Sequence, residues 1–325
     1  MASLNLNGFT TSSERILVIK LSALGDFVQA TGAMKAIRAA HAGAHVTLLT
    51  TPPYAALAKA TGWFDAVWSD GRPDWTDLPA TLGLLGRLRR ARFDRVYDLQ
   101  CQGRTNRYFQ LLWPRRPAWS GNAPGAAFAY RGHERDRLHV QDSFREQLRL
   151  AGIAEVGPPD IGWMTGSGAA PAPRAPYALL IPGGSPHRPA KRWPADRYAA
   201  LAARLSGAGL TPVILGHGDE EAALAGTILA GAPGAVSLVG RTGVGDIADL
   251  ARGAAVTIGN DTGPTHLAVA AGSPAVVLFS NESDPALNAP RAIRPDQPVL
   301  TLRAPDLADL DVDRVAAAVD EVRSR

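Results

Sequence analysis

The sequence predicts an α/β fold made of two doubly wound parallel sheets in succession, and three observations carry that expectation. Short continuous apolar runs of strand type alternate with helical stretches along most of the chain. The span Thr165 to Pro176, TGSGAAPAPRAP, offers neither core nor periodicity, and beyond it the alternation starts afresh. Several strands also end in small-residue polar turns that open the next helix, where such sheets bind ligands. The expected domains are residues 1–165 and 166–325, each Rossmann-like, with a cleft between them.

In the first half the runs Ile16 to Lys20, His45 to Leu49, Ala66 to Trp68 and Arg95 to Leu99 read as strands. Helices are expected over Phe27 to Ala40, Pro53 to Thr61, Leu78 to Arg90 and His139 to Leu150. The turn Leu21 to Asp26 has too few glycines for a dinucleotide fingerprint and offers a carboxylate, Asp26, at the mouth of the sheet. On local sequence alone the plainer reading, a helix-capping Asp worth ~1 kcal/mol, is the stronger. Residues 100 to 141 read as irregular and Arg-rich, with Arg104, Arg107, Arg115 and Arg116 among Trp113, Trp119, Phe128 and Tyr130. Arginine forks beside rings suit phosphate or sugar recognition, and equally a solvated surface.

In the second half strands are expected at Tyr177 to Ile181, Thr211 to Leu215, Val236 to Val239, Val256 to Ile258 and Pro274 to Phe279. Helices are expected over Asp196 to Gly207, Glu221 to Leu229, Asp246 to Arg252, a small-residue stretch entered through Pro264, and Val312 to Val322. The polar turn from Gly259 to Gly263 is a predicted anion seat. Pro264 suits a first helical turn, and free N–H groups of Gly263, Thr265 and His266 would face negative charge at the helix start. The loop Pro182 to Pro194 is a second seat: Gly183 and Gly184 let amides turn inward, Ser185 can donate, and Lys191 can neutralise phosphate. The bland alternative is a charged loop whose Trp193-Pro194 staples the following helix. Gly216 to Glu221 lacks the third glycine of a fingerprint; a carboxylate there, Glu220 first and Asp219 or Glu221 otherwise, suits ribose hydroxyls or merely the helix dipole.

Composition bounds the rest. A chain of 325 residues with 46% hydrophobic content is long enough for two domains. No apolar run reaches the ~18 residues of a spanning helix, and residues 1–15 carry no export signal, so a cytoplasmic protein is expected. The single Cys101 excludes internal disulfides and cysteine metal clusters. Asp309, Asp311 and Asp313 precede the last helix as capping acids, and no metal is assigned to them. Residues 1–165 hold 20 Lys and Arg against 14 Asp and Glu, the remainder 14 against 16. The basic half could meet a phosphorylated partner, an anionic membrane face or nucleic acid, although an Arg-rich style of composition explains much of it.

Three motifs, IKLSALGDFVQATGAMKAIR, PGGSPHRPAKRWP and IGNDTGPTHLAVAAGSPAVVLF, together resemble glycosyltransferase family 9, the bacterial ADP-heptose:lipopolysaccharide heptosyltransferases. The resemblance implies a GT-B fold, with acceptor bound by the N-terminal and donor by the C-terminal domain, and an inverting, metal-independent transfer without cofactor. By motif, Asp26 takes the place of the catalytic base and Lys191 that of the phosphate-binding lysine. Thr262 and Gly263 fall at the diphosphate, Asp261 near the transferred sugar and Glu220 at the ribose, while Gly184, Ser185 and His266 complete the donor set. Arg104 and Arg107 would meet the acceptor, a phosphorylated glycolipid or glycan at the inner membrane, and no nucleic acid is expected. The first motif has Phe-Val-Gln-Ala-Thr-Gly where a His and a Leu-Pro are common, and the second has an extra Pro-His-Arg-Pro before Lys191. An epimerase or hydrolase of the same fold, and a non-catalytic nucleotide-sugar binder, are the alternatives. No complete G-x-G-x-x-G follows a strand, which argues against a nicotinamide dehydrogenase.

Overall fold

Strands buried on both faces should read as unbroken apolar runs, and the central strands do. In the computed structural model, which describes residues 13–130, 137–168, 170–171, 173–184 and 188–325, the strands form two six-stranded sheets whose pairings are all parallel. The fold is α/β with two Rossmann-like sheets, as expected. Among the described residues no helix is long and apolar enough to cross a membrane.

The first sheet contains β1 (Arg15–Ile19), β2 (His45–Leu49), β3 (Ala66–Trp68), β4 (Arg95–Asp98), β5 (Ala118–Gly121) and β6 (Phe128–Ala129), in the order β3-β2-β1-β4-β5-β6. Its helices are α1 (Leu24–Ala40), α2 (Pro52–Ala60), α3 (Leu78–Ala91), α4 (Gly103–Leu111) and α5 (Val140–Leu150). One core packs Leu17 and Ile19 of β1 against Leu84, Leu85 and Leu88 of α3 and Tyr108 and Phe109 of α4. The stretch expected to be irregular therefore holds α4, β5 and β6. Thr105, Tyr108 and Phe109 give α4 a buried face at i, i+3 and i+4 amid a polar sequence.

The second sheet contains β7 (Tyr177–Ile181), β8 (Thr211–Ile214), β9 (Val236–Ser237), β10 (Val256–Asn260), β11 (Ala275–Phe279) and β12 (Val299–Arg303). Its order, β12-β11-β10-β7-β8-β9, repeats the first sheet's topology. Around it lie α6 (Ala195–Gly207), α7 (Asp219–Gly231), α8 (Val244–Gly253), α9 (Gly263–Ala270), α10 (Pro285–Asn288) and α11 (Val312–Ser324). Alternation along β11 explains the two layers: Val276 and Leu278 join a core with Tyr198, Leu201 and Leu205 of α6 and Val315, Val319 and Val322 of α11. Ala275, Val277 and Phe279 pack on the other face with Val269 of α9. Burying each such side chain stabilises by ~1.5–3 kcal/mol. Of the acids around the start of α11, Asp311 caps it: its carboxylate accepts from the Asp313 N–H.

The described chain falls into two compact units, one within Met1–Ser22, Ala33–Asp136 and Phe144–Val156, the other within Ala23–Gly32, Arg137–Ser143 and Gly157–Arg325. The second unit thus begins eight residues or more before Thr165 and also takes the first turns of α1. Hydrogen bonds explain it: Arg252 on α8 donates to Ile161 O (2.9 Å), and further along Gly166 N–H donates to Asp249 (2.7 Å) and Ser167 N–H to Asp246 (2.8 Å), both also on α8. Thr31 Oγ1 accepts from Asp160 N–H (2.9 Å), and a Cβ on Gly32 would meet the carbonyls of Gly157 and Pro158 at 2.4 Å. A Gly-rich, Pro-rich span reads as a tether, but two of its backbone donors, on Gly166 and Ser167, are satisfied here by carboxylates far off in sequence.

Candidate active site

The loops after β7 and β10 leave the sheet side by side, since Ile181 is in register with Gly259. This is where the strand order reverses, the place where open α/β sheets form their ligand crevice. Asn260, fully buried, ties the loops together. Its Nδ2 donates to the carbonyls of Pro182 (2.8 Å) and Gly183 (3.2 Å), and its Oδ1 accepts from the Trp193 N–H and the Tyr198 hydroxyl, each at 3.1 Å. Trp193 is the staple the bland reading describes: its indole donates to Leu310 O (2.8 Å) and meets Tyr198 edge-on.

Beyond Asn260 the chain enters α9, with Pro264 in its first turn and Thr262 in extended conformation before it. The Thr262 side chain makes no capping bond, so Gly263 and Thr265 N–H groups start the helix without a side-chain cap. The third expected donor is used internally, because His266 N–H donates to Thr262 O (3.1 Å).

Asp261 sits at the centre of a buried polar cluster. Lys191 Nζ and Ser283 Oγ donate to its Oδ2 at 2.7 and 2.6 Å, and His266 Nε2 lies 3.0 Å from its Oδ1. Burial works to raise the Asp261 pKa, but His266, Lys191 and Ser283 outweigh it and hold the carboxyl well below the usual range. The Nδ1 of His266 is buried and takes no hydrogen bond among the described residues.

Glycines let the walls approach. A Cβ on Gly183 would lie 2.8 Å from Glu221 Oε1, and one on Gly216 would lie 2.7 Å from Glu221 Cβ. Of the three neighbouring acids, Glu221 lines the cavity described below. Glu220 instead faces Arg192, whose guanidinium binds both its carboxylate oxygens and also donates to Gly184 O (2.7 Å). That pairing lowers the Glu220 pKa.

Asp26 belongs to this same unit, on α1, which starts at Leu24, three residues earlier than the sequence suggests. The carboxylate lies in the first turn, where its Oδ2 accepts from Ala23 N–H at 3.2 Å. The starts of α1 and α9 meet glycine to glycine: a Cβ on Gly263 would be 3.2 Å from Gly25 N, and one on Gly25 would be 3.1 Å from His266 Cδ2.

A cavity of about 940 Å³ collects these groups. It is lined by Asp26, Gln29, Gly183, Gly184, Lys191, Glu221, Asp261, Thr262, Gly263 and His266, and by Glu282, Ser283, Asp284 and Asn288 after β11. Of the residues the sequence singled out, the cavity joins Asp26, Gly184, Lys191, Asp261, Thr262, Gly263 and His266. Ser185 lies outside the described residues. Arg104 and Arg107 belong to the first unit, where both guanidinium groups stack on Trp75, at 4.6 and 5.3 Å. Sequence reasoning missed Asn260, Arg192, Gln29, Glu221's position and the Glu282 to Asn288 segment. A polar run, Ser280 to Asp284, directly after the apolar β11 is the signal that could have found the last of these. Among the described residues no group of three or more His, Cys, Asp or Glu is arranged to hold a metal ion.

Residues 82–307 match the family described as Glycosyltransferase family 9 (heptosyltransferase). Among curated proteins there is no match. Among solved structures the chain is similar to a glycosyl transferase family 9 protein of Veillonella parvula (19% identical, covering 96% of this chain and 97% of that one, TM-score 0.76). It is also similar to the E. coli ADP-heptose LPS heptosyltransferase II (20% identical, 95% and 98% covered, TM-score 0.75). A third is the E. coli heptosyltransferase WaaC with ADP (19% identical, 95% and 99% covered, TM-score 0.73). At these identities the structures speak to the fold, which is that of the heptosyltransferases. The family match spans more than half of the chain, and the chain therefore belongs to glycosyltransferase family 9, the heptosyltransferases.

Proposed function

We propose that the protein is an inverting, metal-independent glycosyltransferase that moves a heptose or related sugar from a nucleotide diphosphate sugar, ADP-heptose in the leading reading, to a lipopolysaccharide core or similar phosphorylated glycan at the cytoplasmic face of the inner membrane. One observation carries it: a carboxylate, Asp26, lines the same cavity as Lys191 and the uncapped start of α9. A base and a diphosphate seat are the two parts this reaction needs. The likeness to the E. coli ADP-heptose LPS heptosyltransferase II and to the E. coli heptosyltransferase WaaC with ADP supports the choice of donor.

In this reading the residues 1–165 domain meets the acceptor, through Arg104 and Arg107, and the residues 166–325 domain holds the donor. Negative charge grows on the leaving diphosphate as the glycosidic bond breaks. Gly263 and Thr265 N–H groups, the α9 dipole and Lys191 stabilise it, and losing one such donor typically costs ~3 kcal/mol. Lys191 is preorganised by Asp261, which Ser283 and His266 hold in turn. Asp261 stands near the transferred sugar, and Glu221, the acid that lines the cavity, replaces Glu220 as the partner of the ribose hydroxyls. Asp26 accepts the proton of the acceptor hydroxyl as the new bond forms on the opposite face of the sugar. The test is ADP release from ADP-heptose on adding a heptose-accepting core glycan, with the product anomer read by NMR and a parallel run in EDTA. Acceptor-dependent release, an inverted anomer and no effect of EDTA are expected; turnover of donor alone would refute the transfer.

A further inference from the structure

The first unit carries a surface that the transfer chemistry does not use. A second cavity, about 480 Å³, opens among Arg89, Arg92, Asp94, Trp113, Arg115 and Arg116. Asp94 immediately precedes β4 and Pro117 precedes β5, so the cavity lies at the N-terminal edge of the sheet, away from the strand ends where such sheets bind ligands. Arg87 on α3 pairs with Asp70, but among the described residues none of these four arginines forms an ion pair. Instead Arg116 stacks on Phe109 (4.8 Å), and Arg89 donates to Leu111 O (2.7 Å), which joins the end of α3 to the end of α4.

Apolar side chains continue the same surface. Trp113 is 67% exposed and Leu111 41%, while on α3 Leu82 is 65% and Leu78 62% exposed. Leu78, Leu82 and Arg89 lie four and seven residues apart, on one helix face, so a stripe of exposed leucine runs into the arginines. Exposed large side chains in such a patch mark an interaction surface. A free anion would want a ring of donors alone, but here a carboxylate, Asp94, shares the cavity and already accepts from Arg15 N–H (2.7 Å). Trp and Leu beside unpaired Arg match a bilayer surface, with rings at headgroup depth and cations over anionic lipid.

We infer that this face, built from the exposed side of α3, the end of α4 and the loop 111–117, docks the protein on an anionic phospholipid bilayer. The inference deepens the membrane-borne acceptor of the proposed function and rests on it, yet binding is measured without donor or acceptor. The experiment is co-sedimentation of the full chain with vesicles of phosphatidylcholine alone or with about one third phosphatidylglycerol. Binding is expected only to the anionic vesicles. It should fall at least about tenfold in Arg92→Glu/Arg115→Glu, in Trp113→Ala and in Leu78→Ser/Leu82→Ser, and collapse at high salt. Wild-type tryptophan emission should shift to the blue on the vesicles, and a Trp113→Phe variant should lose that shift. All these side chains are exposed, so unchanged thermal unfolding checks the fold, and unchanged transfer to a soluble core fragment separates docking from catalysis. Equal binding to neutral vesicles, variants that bind like wild type, or capture by RNA or another protein without vesicle binding would overturn it.

Discussion

Replacing Asn260 by Ala should loosen the whole candidate site, and the structure gives the size of the effect. The amide serves four buried partners: two carbonyls in the loop after β7, the Trp193 N–H and the Tyr198 hydroxyl. Each buried polar group left unpaired costs ~1–3 kcal/mol. Tyr198 can turn to Ile181 O, 3.3 Å away, and a carbonyl keeps partial satisfaction elsewhere more readily than an N–H does. The loss therefore concentrates on Trp193 N–H and one carbonyl, about 3 kcal/mol in all. For a unit of this size that lowers the melting temperature by roughly 6–12 °C. Circular dichroism melts give the stability and calorimetry with ADP gives the affinity, which should fall too, because both seats share the latch. Asn260→Asp should be at least as damaging, since it turns an acceptor toward two carbonyls. A melting temperature within about 2 °C of wild type for either variant would refute the latch.

Three further outcomes follow from particular contacts. Glu221→Gln should weaken ADP binding about tenfold, some 1.4 kcal/mol, while Glu220→Gln leaves affinity near wild type; titration calorimetry showing the reverse would return the ribose to Glu220. Gly263→Ala forces a Cβ to 2.9 Å from Leu24 Cβ and should cost about 1–3 kcal/mol, whereas Gly226→Ala on α7, with nothing within 4 Å, should stabilise slightly; paired melts decide it. Asp98, fully buried at the end of β4, has its pKa raised to about 6 by burial, against the Thr105 hydroxyl, the Cys101 and Gln100 N–H groups and Lys20. The folded state thus holds this proton more tightly than the unfolded chain, so the group's contribution is full below about pH 4 and is lost as pH rises through 6, by up to about 3 kcal/mol. Urea unfolding at pH 5 and 7.5 should show Asp98→Asn gaining on wild type at the higher pH, and parallel behaviour of the two would contradict this.

Much of the architecture was readable because both faces of each central strand are covered. The five-residue β7 and β11 are wholly buried and so appear as unbroken apolar runs, and Gly259 to Pro264 announces the turn between β10 and α9. What stayed hidden depends on tertiary context. α4 buries only three of its nine residues, β6 has two residues, and β12 is an edge strand half open to solvent. The reach of the second unit back to Gly157 rests on Ile161 O accepting from Arg252 and on Asp160 N–H donating to Thr31, which composition cannot show. Among Asp219, Glu220 and Glu221 only helix phase decides which acid faces the cavity, and a shift of one residue turns a side chain by ~100°. The importance of Asn260 lay concealed within a motif whose neighbours carry the obvious chemistry.

The proposed transfer turns on Asp26 as the group that takes the acceptor's proton. Asparagine keeps the shape and can still accept from Ala23 N–H, but it cannot take up that proton. The decisive measurement is single-turnover transfer by Asp26→Asn beside calorimetric ADP binding by the same preparation. Transfer should fall at least about a hundredfold with ADP affinity unchanged; transfer at the wild-type rate would rule out this role for Asp26.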